Sequence, residues 1–143
     1  MRLAVAFLLL LTSPAAAWTF TPRPVCTLSD ATASASVRVT YDPRLAEPYA
    51  IAVTSAAPWP DAPVFSMRFD GPRGLTISTD RQKPSDGGRT LTVTDKGFGN
   101  VLDGLEFNTT ATALAGDAAI PFPLDGAAPE VKAFRACIAA PTA

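Results

Sequence analysis

Residues 34–54 of the chain, SASVRVTYDPRLAEPYAIAVT, decide the fold class. In residues 34–41, small or polar side chains alternate with apolar ones, and residues 49–54 repeat the alternation. A period of two is typical of a strand that buries one face. A short polar connection with two prolines separates the two runs, so the stretch predicts a β-hairpin.

Three more runs alternate in the same way, at residues 64–69, 75–79 and 90–94. A strand-like composition returns at residues 107–114. Residues 119–124 predict an edge strand, because their two prolines cannot donate hydrogen bonds inside a sheet. Successive short strands separated by Gly, Pro and Asp favour an antiparallel β-sandwich or a partly open barrel. The sequence therefore predicts a mainly β fold.

Two short helices are predicted in the second half. A glycine turn at residues 97–99 precedes Asn100, a residue type that often caps the start of a helix. The turn begins like a phosphate-binding loop, but it lacks the lysine and the later glycine of that motif. Residues 130–137 predict the second helix, because apolar residues recur at three-residue spacing. These residues are Val131, Phe134 and Cys137.

The first 17 residues predict a cleavable secretory signal. Arg2 precedes an apolar run at residues 3–11, and small residues lead to Ala17. The run is much shorter than the roughly 20 residues of a bilayer span. The alternative is a buried N-terminal helix. We expect cleavage between Ala17 and Trp18, no membrane span after cleavage, and a periplasmic or secreted protein.

The rest of the chain predicts one domain with short flanking segments. Residues 18–33 have little periodicity and contain two prolines, which favours an extended N-terminal tether. A single β-rich domain is expected at residues 34–138, because no internal repeat or linker divides it. Residues 139–143 are expected to form a disordered tail.

Only two cysteines are present, Cys26 and Cys137. Disulfides persist in oxidising compartments, so we expect these two residues to be paired after export. The alternatives are two separate thiols or a disulfide to another protein. A zinc site is not expected, since it needs four ligands and the chain has no histidine.

The charges exclude two classes of partner. The chain contains twelve Lys and Arg residues and thirteen Asp and Glu residues, so its net charge is −1. The basic residues are scattered, and no run of them could follow a phosphate backbone. We therefore expect no nucleic acid and no anionic lipid as partner, and the sequence predicts no cofactor and no metal.

The absence of histidine excludes Ser-His-Asp and Cys-His catalysis. A carboxylate-dependent glycan hydrolase stays open as an alternative, because such enzymes need only two acids. The aspartates, however, mostly flank Gly, Pro or strand ends, where turn formation explains them. They are Asp42, Asp70, Asp80, Asp86, Asp95, Asp103, Asp117 and Asp125. No catalytic residue is therefore predicted.

Trp59 is the one candidate ligand contact. Pro58 and Pro60 flank it in a connection between predicted strands. An indole in such a connection could contact a sugar or a peptide, whereas the other aromatic residues are expected to fill the core.

The second half resembles the invasion-associated locus B family. The resemblance rests on residues 90–95, on Gly97 to Leu105, on a following strand, on residues 123–126 and on residues 131–137. It implies a small exported bacterial β-rich protein with a terminal helix, linked to host-cell interaction and without catalytic residues. The alanine-rich composition also suits a bacterium, which would make the compartment the periplasm.

The sequence thus predicts an exported, non-catalytic binding or envelope-interaction module. Its partner would be a protein or glycan of the cell envelope, and its oligomeric state is left open. A structural or inhibitor protein is the third alternative. Two acids converging in one concave pocket would favour the hydrolase, and an open sheet edge or exposed aromatic patch would favour binding.

Overall fold

The computed structural model describes residues 17–140, and the remaining residues of the predicted signal peptide and tail lie outside them. The strands are β1 (Thr19–Thr21), β2 (Cys26–Ala31), β3 (Ala35–Tyr41), β4 (Tyr49–Ser55), β5 (Phe65–Asp70), β6 (Leu75–Thr79), β7 (Lys83–Ser85), β8 (Thr90–Asp95), β9 (Thr110–Ala115) and β10 (Ala118–Pro123). The helices are α1 (Gly99–Phe107) and α2 (Ala127–Ala139). No helix in residues 17–140 combines the length and apolarity that a membrane crossing needs.

The strands form two antiparallel sheets, which confirms the predicted mainly β fold. Sheet A has six strands in the order β1-β2-β3-β4-β8-β7, and sheet B has four in the order β10-β9-β5-β6. The sheets are not closed into a barrel, so the sandwich describes the fold and the barrel does not.

The predicted hairpin lies at the centre of sheet A. β3 pairs with β4 in the register Val37 opposite Val53 and Val39 opposite Ile51. All four side chains are at most 3 % exposed, because they occupy the alternate positions that face sheet B.

The N-terminal segment is part of the sheet, which corrects the predicted tether at residues 18–33. β2 pairs with β3 along its whole length, and β1 pairs with β2. Leu28 in β2 is fully buried and Trp18 is 4 % exposed. The alternation was hidden because Asp30, a polar residue, occupies one of the inward positions of β2.

Strand β7 lies between two predicted strands, in a connection where the sequence predicts no strand. It contains three residues, one of them a proline, and it pairs only with Thr90 to Thr92 of β8. A strand this short carries no detectable period of two.

Both helices pack among the strands and against each other. α1 begins two residues earlier than predicted, with Phe98 rather than Asn100 at the N-cap and no side-chain cap. Gly104 of α1 lies on the ring of Phe69 in β5, where a Cβ would come within 2.5 Å of the ring. A glycine at this position therefore allows the helix to approach the sheet.

The predicted disulfide joins Cys26 of β2 to Cys137 of α2, with Cα atoms 6.1 Å apart. Val131 and Phe134 on the same helix are fully buried. The side chain of Trp18 donates from Nε1 to the carbonyl oxygen of Pro123 at 2.9 Å, which links β1 to β10. We call β1, β2, β10 and α2 the closed side of the sandwich. We call β6, β7 and residues 93–95 of β8 the open side.

An open cleft between the two sheets

A cleft of about 890 Å³ enters the sandwich on the open side. It lies between β4 and β8 of sheet A and β5 and β6 of sheet B, and the start of α1 forms one end. Its lining consists of Ile51, Val64, Phe65, Met67, Ile77, Ser78, Thr79, Asp80, Arg81, Val93, Asp95, Gly97, Phe98, Gly99, Asn100 and Val101.

The inner wall of the cleft is apolar. Ile51 and Val93 come from sheet A, Phe65 and Met67 come from sheet B, and each is at most 8 % exposed. These residues face inward at the boundary between the packed core and the cleft. Sheet B ends at β6, and β7 covers β8 only as far as Thr92, so no strand closes this side in the described part of the chain.

The mouth of the cleft carries a charged cluster around Arg81. Its guanidinium group contacts Glu47 at 3.2 Å and Asp95 at 3.4 Å. Thr94 donates from Oγ1 to the other carboxylate oxygen of Glu47 at 3.1 Å. With Asp80 beside it, the mouth combines three carboxylates with one guanidinium, and all of these side chains remain partly exposed.

The end of the cleft is formed by residues 97–101. Leu102 donates its N–H to the carbonyl of Phe98, which begins the helical ladder of α1. The first N–H groups of a helix have no intrahelical acceptor and carry a partial positive charge. No acidic residue occupies the first turn, so these dipoles face the cleft without a side-chain cap.

An aromatic cluster adjoins this end. The rings of Tyr41 and Tyr49 lie 4.9 Å apart between centroids, and Phe98 lies 5.4 Å from Tyr49. Burial raises the pKa of the Tyr49 phenol, with a smaller contribution from Tyr41, while Arg135 acts in the opposite direction. The cluster holds Phe98, and with it the start of α1, against sheet A.

A second depression, of about 700 Å³, lies on sheet A and is lined mainly by Ser, Thr and Ala together with Arg38. Asp30 also borders it. This carboxylate is buried, its Oδ1 has no hydrogen-bond partner within residues 17–140, and desolvation raises its pKa. The depression has few apolar side chains to bind a ligand, so the inter-sheet cleft is the better candidate.

The aspartates are dispersed, except that Asp80 and Asp95 both border the cleft. Asp95 contacts Arg81 at 3.4 Å, and Asp80 is exposed. A glycan hydrolase also needs a carboxylic acid that keeps its proton. Elsewhere, hydrogen bonds from Arg44 lower the pKa of Asp42. The described residues contain no group of three or more side chains suited to hold a metal.

Trp59 is not exposed, which corrects its assignment as a ligand contact. Its side chain is 7 % exposed, and Nε1 donates to the carbonyl oxygen of Val53 at 3.3 Å. Its ring meets that of Phe65 edge to face, with centroids 6.0 Å apart. The flanking prolines shape a connection that folds back onto the core instead of projecting from it.

The cleft residues were missed at the sequence level, because they come from four separated segments of the chain, at Ile51 and at residues 64–67, 77–81 and 93–101. Two local signals were present. The segment at residues 97–100 has two glycines, and β6 is a strand without any charged residue. Neither signal indicates a cleft until the order of strands in both sheets is known.

No protein-family model, curated protein or solved structure matches this chain. The resemblance to the invasion-associated locus B family therefore stays a prediction from the sequence.

Proposed function

We propose that this protein is an exported, non-catalytic binding module that holds its ligand in the inter-sheet cleft. The observation that supports this proposal most is the cleft itself, with an apolar inner wall, a charged mouth and a volume of about 890 Å³. Binding sites for small ligands are concave, mostly apolar and equipped with a few polar groups, and this cleft has all three properties.

Export is supported by two independent features. The first 17 residues have the order of a secretory signal, and the Cys26–Cys137 disulfide is a bond that persists in oxidising compartments. Intact-mass analysis of the extracytoplasmic fraction should give a chain that begins at Trp18. A chain that retains its N-terminal segment would contradict export.

Binding is favoured over hydrolysis because the cleft lacks a matched acid and base. Of the two aspartates at the mouth, Asp95 is paired with Arg81, and Asp80 is exposed to solvent. Neither carboxylate is buried among apolar side chains, as the general acid of a glycan hydrolase is. The expected partner is an envelope component, protein or glycan, that places an apolar group between the sheets.

The binding site can be tested with an apolar dye, Nile red, as a probe. Val64 at the cleft and Leu45 in the β3–β4 connection are the two large apolar side chains that are most exposed, at 44 % and 57 %. Since both are exposed, V64E and L45E should fold. We expect saturable dye binding that V64E weakens and L45E preserves.

Chemical shifts locate the dye independently of these variants. Amide signals of residues 97–101, Ile51 and Ile77 should move on titration. Binding that is unsaturable, or equally affected by both variants, would refute the assignment of the cleft.

A further inference from the structure

Three of the four edge strands are protected against pairing with another chain. On β1, the N–H of Phe20 donates to the carboxylate of Glu130 in α2 at 2.9 Å. β10 contains Pro121 and Pro123, and the carbonyl of Pro123 accepts from Trp18. β7 has only three residues, one of them a lysine and one a proline. Short length, proline, lysine and covering groups are the usual means of blocking a sheet edge.

Strand β6 has none of these devices. Its five residues, LTIST, contain no charge and no proline. Apart from the ladder with β5, no hydrogen bond reaches the backbone of residues 75–79 within the described chain. An unprotected edge presents a row of N–H and C=O groups that match another extended strand. The chemistry of its occupant is therefore that of a polypeptide backbone.

The charges at the two ends of β6 indicate which polypeptide fits. Before the strand, the guanidinium of Arg73 lies over the ring of Phe107, 4.1 Å from its centroid. After the strand comes Asp80. Neither side chain forms a salt bridge within residues 17–140. Arg81 follows Asp80, but its guanidinium contacts Glu47 and Asp95, so this end of the strand carries three carboxylates and one cation. The edge is thus positive at its beginning and net negative at its end.

An antiparallel second copy of β6 is complementary to this polarity, because it brings the beginning of one strand to the end of the other. If Ile77 lies opposite Ile77, Gly74 lies opposite Asp80 of the second copy, and Arg73 lies opposite Arg81 and diagonal to Asp80. Because Arg81 already contacts two carboxylates of its own chain, Arg73 meets a group of net negative charge. Each contact occurs twice, as in the isologous interface of a twofold dimer.

We propose that two copies of this protein associate through antiparallel pairing of their β6 strands about a twofold axis at Ile77. The two four-stranded sheets then form one continuous eight-stranded sheet. Ile77 and Thr79 on the inward face of β6 also line the cleft, so the clefts of both copies lie next to the interface. This proposal goes beyond the proposed function and does not depend on it.

Sedimentation equilibrium of the mature, oxidised protein tests the association. We expect a reversible monomer–dimer equilibrium. R73D and D80R should each weaken the dimer by about tenfold, because R73D brings a further carboxylate to the net negative end of the other copy, and D80R places a second arginine there beside Arg73, each at two symmetric positions. The double variant R73D/D80R exchanges the charges and should restore dimerisation to near the original level.

A lysine on the edge tests the strand itself. T76K places a charge on the exposed face of β6 and should abolish the dimer, whereas A119K places one on the protected edge strand β10 and should leave it unchanged. Amide hydrogen exchange at residues 75–79 should slow as protein concentration rises, since pairing protects the outward N–H groups.

Three outcomes would refute the proposal. The first is a wild-type protein that stays monomeric at all concentrations. The second is a double variant R73D/D80R that does not recover the dimer lost in the single variants. The third is a T76K variant that dimerises as well as A119K. A dimer without protection of residues 75–79 would place the interface elsewhere. If amide exchange at residues 75–79 slows only when a different protein is added, the edge binds a heterologous partner, and the proposed self-association is wrong.

Discussion

The closed and open sides of the sandwich differ in how their strands end. On the closed side, Glu130 and Trp18 satisfy edge groups, α2 covers β1 and β2, and a disulfide fixes the helix to the sheet. On the open side, β6 has a bare edge and the core ends in a cleft. The comparison places the covering helix and the covalent link on the closed side, and the proposed binding cleft and the bare strand edge on the open side.

Removal of the disulfide should destabilise the closed side more than any other change. The bond joins residues 111 positions apart, and closing a loop of this size stabilises a folded chain by about 4–5 kcal/mol in the chain-entropy treatment. We expect C26S/C137S to lose about that much free energy of unfolding, measured by urea denaturation. Wild-type protein unfolded with reductant is the matched control. A loss below about 1 kcal/mol would show that packing alone holds α2 on the closed side.

The close approach of α1 to sheet B should give the next largest effect. In G104A, the added Cβ would meet the ring of Phe69 at 2.5 Å, and overpacking of this kind costs about 1–3 kcal/mol. G99A is the matched control, because its Cβ meets no atom within 4 Å and alanine favours helix.

Thermal unfolding of both variants measures the difference. F69L should recover part of the loss in G104A, since the smaller side chain leaves room for the methyl group. Equal stability of G104A and G99A would contradict the tight contact between helix and sheet.

The parts of the fold that repeat a strong local pattern could be predicted from the sequence. The hairpin of β3 and β4 was predictable because valine and isoleucine occupy its inward positions. Strand β2 was not, because Cys26, Leu28 and Asp30 occupy its inward positions and only Leu28 is a typical core residue. Pairing with β3 determines that strand more than its own composition does.

The candidate site depends on information that no local pattern contains. Trp59 was expected to be exposed because prolines flank it, but a hydrogen bond to Val53 and packing on Phe65 hold it inside. The cleft arises because sheet B stops at β6, and strand order is a long-range property. The predictions of export and of the disulfide, by contrast, rest on residue types alone. The pairing of Cys26 with Cys137 is confirmed, and export stays a prediction.

Asp30 is a buried acid on the closed side, and its burial makes the stability of the protein depend on pH. Burial raises its pKa, so between the unfolded value of about 3.9 and the higher folded value the native state binds more protons. Its contribution to stability is therefore most favourable at low pH and is lost as the pH rises through this window.

The variant D30N removes this titration. At neutral pH we expect it to stabilise the protein by about 1 kcal/mol, because a buried carboxylate whose Oδ1 has no hydrogen-bond partner within the described residues is replaced by a neutral amide. The advantage should vanish below the ordinary pKa of aspartate. Urea unfolding at several pH values measures it, with D117N at an exposed turn as the control. A D30N variant that is less stable at neutral pH would show that the carboxylate is needed in its charged form.

Two arginines that each bridge two carboxylates differ in how far their partners are buried. On the closed side, Arg135 contacts Asp103 at 2.6 Å and Glu106 at 3.0 Å, and the side chain of Glu106 is only 7 % exposed. At the mouth of the cleft, Arg81 contacts Glu47 and Asp95, whose side chains are 39 % and 46 % exposed.

Because burial decides what an ion pair contributes, the two arginines should not be equivalent. R135Q leaves the buried Glu106 without its partner and should cost about 1–2 kcal/mol, whereas R81Q should cost at most about 0.5 kcal/mol. Added salt should reduce the effect of R81Q more, since the exposed pair is more strongly screened. Urea unfolding of both variants at low and high salt measures these differences. Equal losses with equal salt dependence would mean that the two sides of the sandwich do not differ in electrostatic stability. The difference between the closed and the open side would then rest on the disulfide and the edge strands alone.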